Sequence, residues 1–103
     1  MHVTKQGTKM NYKEIFEQCE NIINDREQSY GDARPLFEAL GNRFSNVLAG
    51  KLSPGETVSA YDVARLMAEL KAARLDQNGH HEDSVLDQIN YLVIAHKLMS
   101  EAT

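Results

Sequence analysis

Residues 59–79, SAYDVARLMAELKAARLDQNG, carry a complete helical signature. Ser59 stands where an N-cap side chain accepts an orphan backbone N–H, and Asp62 is the acidic residue of the first turn. Val63, Leu66, Met67 and Leu70 follow at the spacing of one helix face, and Asn78-Gly79 stops the segment. Residues 82–100, EDSVLDQINYLVIAHKLMS, form a second helix that starts at Glu82 or Asp83. Leu86, Ile89, Leu92, Val93, Ile94 and Leu98 leave it apolar on most of its circumference. Such a helix in a small domain needs cover on nearly every side. The expectation is a homodimer.

Two further helices lie upstream. Asn11 and Glu14 have the spacing of a capping box, in which two side chains reciprocally satisfy two backbone donors. Tyr12, Ile15, Phe16, Cys19, Ile22 and Ile23 then recur at helical spacing to about Tyr30, where Gly31 ends the helix. Pro35 suits the first turn of the next helix, whose stripe is Leu36, Phe37, Leu40, Phe44, Val47 and Leu48, with Gly50 at its end. Gly41 weakens its middle by propensity. Ser53-Pro54-Gly55 marks a loop, and no segment alternates with period two for long enough to be a strand. The fold class is therefore all-α. Connections of about 4, 9 and 4 residues favour antiparallel neighbours, a four-helix up-down bundle. Residues 1–10, without periodicity, read as a flexible N-terminal tail, and residues 11–103 as a single helical domain.

Composition narrows the function classes. With 103 residues, 42% hydrophobic and 25% charged, the chain has material for one core. No apolar run approaches the ~20 residues of a membrane span, and MHVTKQGTKM has no apolar stretch to serve as a signal peptide. The lone Cys19 cannot close an internal disulfide, so a reducing cytoplasm is the expected setting. A net charge of −4 gives no electrostatic footprint for nucleic acid.

Polar residues on apolar faces carry the functional signal. On helical wheels Arg26 and Tyr30 continue the stripe of Cys19 and Ile23. Arg74 falls near Val63, Met67 and Leu70, at the centre of the apolar arc, with Lys71 beside it. Asp83, Asp87 and Asn90 make one line on the last helix, with Tyr91 next to it. In an up-down bundle all of these converge at one end. One reading is an ion-pair network that fixes register, because buried charges must be paired. The other is a site for a phosphorylated ligand. In it Arg26, Lys71 and Arg74 take phosphate oxygens, Asp83 and Asp87 hold Mg²⁺, and Tyr30, Asn90 and Tyr91 contact base or sugar.

The ordered set Arg26-x-x-x-Tyr30-Gly31-Asp32, Phe37, Asp62-Val63-Ala64-x-x-Met67-x-x-x-Lys71-x-x-Arg74 and Asp83-Ser84-x-x-Asp87-x-x-Asn90-Tyr91 resembles a small helical domain family of phages and prophages. That family has no settled activity and is similar to the phage domains called nucleotide-modification-associated. The resemblance covers Ile22 to Ala95 and implies a phage or prophage origin and a link to nucleotide metabolism. Many members carry Gly where this chain has Asn90. More distantly, the chain is similar to MazG-like all-α nucleotide pyrophosphohydrolases, which hold Mg²⁺ with Glu-x-x-Glu and Glu-x-x-Asp pairs. Asp87-x-x-Asn90 stands in for the second pair at reduced charge, whereas Glu17-x-x-Glu20 lies away from the site and Glu69 points outward. At least two metal ligands of that kind are missing.

Other signals read as structure. His80 and His81 start a helix and point in different directions, His96 is a core histidine, and Cys19 is core filler without a base to activate it. The glycines form neither a P-loop nor a dinucleotide fingerprint. The expectation is thus a helical domain that binds a nucleotide or another phosphorylated small molecule, with or without catalysis. The rival from another class is a phage module that grips a host protein, with the charged cluster serving architecture.

Overall fold

The computed structural model describes residues 9–101, so most of the expected N-terminal tail lies outside the described residues. The described residues form four helices: α1 (Tyr12–Tyr30), α2 (Ala33–Val47), α3 (Ala60–Asn78) and α4 (Glu82–Glu101). There is no strand among the described residues. None of the helices is long and apolar enough to cross a membrane.

Local chemistry explains the boundaries. Asn11 Oδ1 accepts the Glu14 N–H at 2.8 Å while Glu14 Oε1 accepts the Asn11 N–H at 3.1 Å, which completes the capping box of α1. Ser59 and Asp62 make the same reciprocal pair at 3.0 Å each and start α3. Gly31 and Gly79 end α1 and α3 with φ of 79° and 76°, a region where a Cβ is strained. Asp32 caps α2 through the Arg34 N–H at 3.0 Å, so α2 begins two residues ahead of Pro35. It also ends at the Leu48 cap, before Gly50.

The core is small and belongs to α2, α3 and α4. Phe37, Val58, Val63, Ala64, Ala95 and Leu98 form one buried cluster, rimmed by Leu40, Phe44, Leu52 and Met67. The α3–α4 pair is the most extensively packed, α2 rests on α3, and α1 contacts α4. The small side chains Ala64, Ala68 and Ala95 are buried, which lets helix backbones approach closely. A Cβ on Gly41 would meet the Val58 carbonyl oxygen, so α2 crosses the start of α3 at glycine distance. The same crossing is tied by Ser45: its hydroxyl donates to the Gly41 carbonyl at 2.7 Å and accepts the Val58 N–H at 2.8 Å. Gly41 is therefore a packing requirement rather than a soft point in α2.

The far end of α2 is latched to α4. Arg34 Nη2 donates to the Leu98 carbonyl at 3.2 Å and to Glu101 Oε1 at 3.0 Å, and the hydrogen bond to Glu101 holds the guanidinium more firmly in its charged form than usual.

Several expected core positions are exposed. Only Cys19 of the α1 stripe is buried, while Tyr12 and Phe16 face solvent. Leu36 and Val47 of α2, and Leu92, Val93 and Met99 of α4, are exposed as well. His96, expected in the core, is exposed too. For α1 the physical reason is that its main packing partner is α4, so one edge of its stripe finds cover and the rest does not.

Candidate functional site

Where α1 turns into α2, the two helices leave a cavity of about 180 Å³ against α4. Ile23, Leu36, Phe37 and Ile94 make its apolar wall, and Gly31-Asp32 forms its outer lip. Arg26, Tyr30, Asp87, Asn90 and Tyr91, five of the residues singled out from sequence, share this wall. Tyr91 is half-buried, and its ring lies 6.3 Å from that of Phe37 at a 32° tilt.

Asp87 is the electrostatic centre. Its Oδ2 lies 3.1 Å from Lys71 Nζ, and both side chains are 18% exposed. Its Oδ1 lies 3.8 Å from Arg26 Nη2, a looser pair because the Arg26 side chain is 61% exposed. A carboxylate shared by two cations satisfies both halves of a half-buried charge pair. It also leaves Arg26, at the solvent edge, free to turn to an incoming anion.

Two expectations fail on burial. Arg26 and Tyr30 do not point into the core: the Arg26 side chain is 61% exposed and Tyr30 is 82% exposed, both along the cavity wall. Arg74 is exposed rather than central to an apolar arc, and it makes no ion pair among the described residues. The reason lies in α3, which buries the arc of Val63, Ala64 and Ala68 and leaves Leu66 and Leu70 half out. Arg74 shares the face of Val63 but stands near the end of α3, past Ala68, the last of its buried residues. Asp83 is likewise exposed and outside the cavity wall.

The Mg²⁺ expectation meets an unfavourable donor set. Asp83 and Asp87 are one turn apart, and Asp87 is already committed to Lys71 and Arg26. No cluster of three or more His, Cys, Asp or Glu able to hold a metal occurs among the described residues. Two carboxylates, one of them neutralised, do not fit a dedicated Mg²⁺ site. The histidine turn is structural, since His81 Nδ1 accepts the Ser84 N–H at 3.3 Å, with Ser84 Oγ 3.1 Å away.

Sequence reasoning did not find the apolar half of the site. Leu36, Phe37 and Ile94 were assigned to the core by periodicity, and the signal that separates wall from core is the Gly31-Asp32 turn that swings α2 away from α1. Cys19 is buried beneath α1, and desolvation pushes its thiol above the ordinary value. Alkylation by iodoacetamide at pH 8 should run about tenfold or more slower in the native protein than in urea, read by mass spectrometry. Equal rates would mean that α1 does not stay docked on α4.

The family described as a domain of unknown function (DUF6378) matches residues 14–99, a span that contains the whole cavity. The chain is 36% identical over 85 residues to the "Gene 55 protein" of Mycobacterium phage L5, covering 82% of this chain and 51% of that protein. It is 31% identical over 88 residues to the "Gene 55 protein" of Mycobacterium phage D29, covering 84% and 54%. It thus spans about half the length of these curated relatives. No solved structure matches it. With its four helices inside the matched span almost from end to end, the chain belongs to the DUF6378 family and is similar to proteins of mycobacterial phages.

Proposed function

We propose that this domain binds a nucleotide or another phosphorylated small molecule in the cavity between α1, α2 and α4, as part of phage nucleotide metabolism or modification in the host cytoplasm. The observation that carries the reading is the composition of one wall. Apolar and aromatic surface from Phe37, Tyr91 and Ile94 meets the Arg26 guanidinium at the mouth and the Asn90 amide within. Ligand sites combine a mainly apolar cleft with a few placed polar groups in this way. The rings would take a flat base and Arg26 a phosphate oxygen, while Lys71 holds Asp87 and so frees Arg26. Arg74 and Asp83 enter only as groups that a phosphate tail meets beyond the rim. Mg²⁺ enters only as a companion of those phosphates, and no step is routed through it. A MazG-like hydrolysis needs Glu-x-x-Glu and Glu-x-x-Asp pairs, and the carboxylates that line this cavity, Glu27, Asp32 and Asp87, do not form them, so binding is the activity proposed.

The test is a thermal-shift panel of nucleoside mono-, di- and triphosphates and cyclic nucleotides, with and without Mg²⁺. A ligand at about 100 times its Kd adds ~2.7 kcal/mol, several degrees for a domain of this size. Arg26→Ala should remove the shift while leaving the fold, because the side chain is mostly exposed. A flat panel would sink the reading.

A second reading has its own observation. Phe16 and Val93 lie exposed along one groove, between α1 and α4, and Leu92 and Met99 along another, between α3 and α4, apolar surface suited to a second copy of the chain or to a host protein. Sedimentation equilibrium distinguishes it: a monomer at micromolar concentration removes the dimer.

A further inference from the structure

Asn90 is 5% exposed, yet neither its Oδ1 nor its Nδ2 has a hydrogen-bond partner in the protein. Buried polar side chains are nearly always bonded, because an unsatisfied donor or acceptor forfeits its hydration. Here a donor pair and an acceptor on one side chain are both unspent, on a residue that lines the cavity between α1, α2 and α4. Leucine fills a similar volume without that cost, so the fold gains nothing from an amide at this position. The amide makes sense as half of a pair whose other half arrives with a ligand.

The geometry restricts that ligand. A carboxamide presents one donor and one acceptor side by side, the complement of a nucleobase edge; the bidentate pairing of Asn with adenine is the familiar instance. Phe37 and Tyr91 line the same cavity, and aromatic faces accept flat bases with little regard to sequence. At about 180 Å³ the space is smaller than the ~300–1,000 Å³ of pockets that enclose a whole drug-sized ligand. One base fits within, and sugar and phosphate remain outside. Charge then limits the phosphate count. Of the wall's charges, Asp87 is held by Lys71 at 3.1 Å and Glu27 by Lys97 at 3.9 Å, which leaves Arg26 as the cation at the mouth with Asp32 beside it. One cation matches a single phosphate, and the further charges of a triphosphate find no partner in this wall.

We infer that Asn90 reads the donor–acceptor edge of a nucleobase, and that the ligand is a nucleoside 5′-monophosphate whose base enters the cavity. The inference rests on the nucleotide-binding reading above and sharpens it. The test is isothermal titration of the wild-type chain and Asn90→Leu with the common nucleoside 5′-monophosphates, their triphosphates without Mg²⁺, and ribose 5-phosphate. One monophosphate should bind roughly tenfold or more tighter than its triphosphate and than ribose 5-phosphate. Asn90→Leu should lose at least about tenfold for that monophosphate and leave ribose 5-phosphate unchanged. If Asn90→Leu binds the monophosphate within about twofold of wild type, base reading by Asn90 is overturned while the site itself stands. A triphosphate that binds tightest overturns the monophosphate assignment. No nucleotide bound by the wild type removes both readings together. Because Asn90→Leu can perturb the α1–α4 contact, the side-chain amide resonances of Asn90 in ¹⁵N-labelled wild type give a second readout. They should move on addition of the monophosphate, and resonances that stay fixed at saturation overturn the inference.

Discussion

Gly41→Ala should lower stability by about 2 kcal/mol, against the rule that Ala in a helix interior gains up to ~1 kcal/mol over Gly. The new Cβ would collide with the Val58 carbonyl oxygen, a backbone atom that no rotamer change can move aside. The Val58 segment is also pinned: its N–H is bonded to Ser45 Oγ at 2.8 Å, and its side chain is buried in the core. To accept a methyl group α2 must lift from the start of α3, breaking the Ser45 tie and loosening Phe37 at once. Urea or thermal unfolding of the purified variant measures this, with an expected fall in Tm of roughly 10 °C for a domain of this size. A more stable Gly41→Ala would mean that α2 and α3 do not cross at glycine distance. Gly41→Val, with two further methyl groups, should be worse.

Phe37→Ala should cost about 3–5 kcal/mol, the usual range for deleting a buried Phe. Phe37 is 6% exposed and sits where the α2–α3–α4 core meets the cavity, with Tyr91 as its aromatic neighbour. Against a typical total stability of ~5–15 kcal/mol, that loss is a large fraction. The effect should be double, because the same ring closes the cavity wall: a variant still folded at low temperature should also fail to respond to nucleotides. Phe37→Leu separates the two roles, keeping most of the core volume at a cost nearer 1 kcal/mol while removing the flat stacking face. A Phe37→Ala change costing under about 1 kcal/mol would contradict a core centred on this residue.

The consequences of these two substitutions show how unevenly the sequence foretells the structure. Asn11 with Glu14, and Ser59 with Asp62, announce helix starts to the residue, because a cap is settled within four positions of chain. The glycines that end α1 and α3 are equally local. Gly41 is the opposite case: its propensity says weakness, and only the carbonyl of Val58, seventeen residues on, gives it a reason. Arg74 looked central on a wheel because it falls near Val63, Met67 and Leu70, but a wheel has no length axis and the buried residues of α3 end at Ala68. The stretch of α3 that is covered holds Val63, Ala64 and Ala68, and Arg74 lies beyond it.

The sequence by itself determined the all-helical fold class, where α1 and α3 start, and which polar residues stand out, all properties set by contacts within a few residues. Only the tertiary structure decided which face each helix buries, that α1 covers α4 rather than closing a core, and that Asp87 draws Lys71 and Arg26 together while Arg74 and Asp83 stay outside. It also decided that Asn90 lies buried with its amide unspent beside an aromatic cavity. Burial depends on partners distant in sequence, and no helical wheel contains the partner.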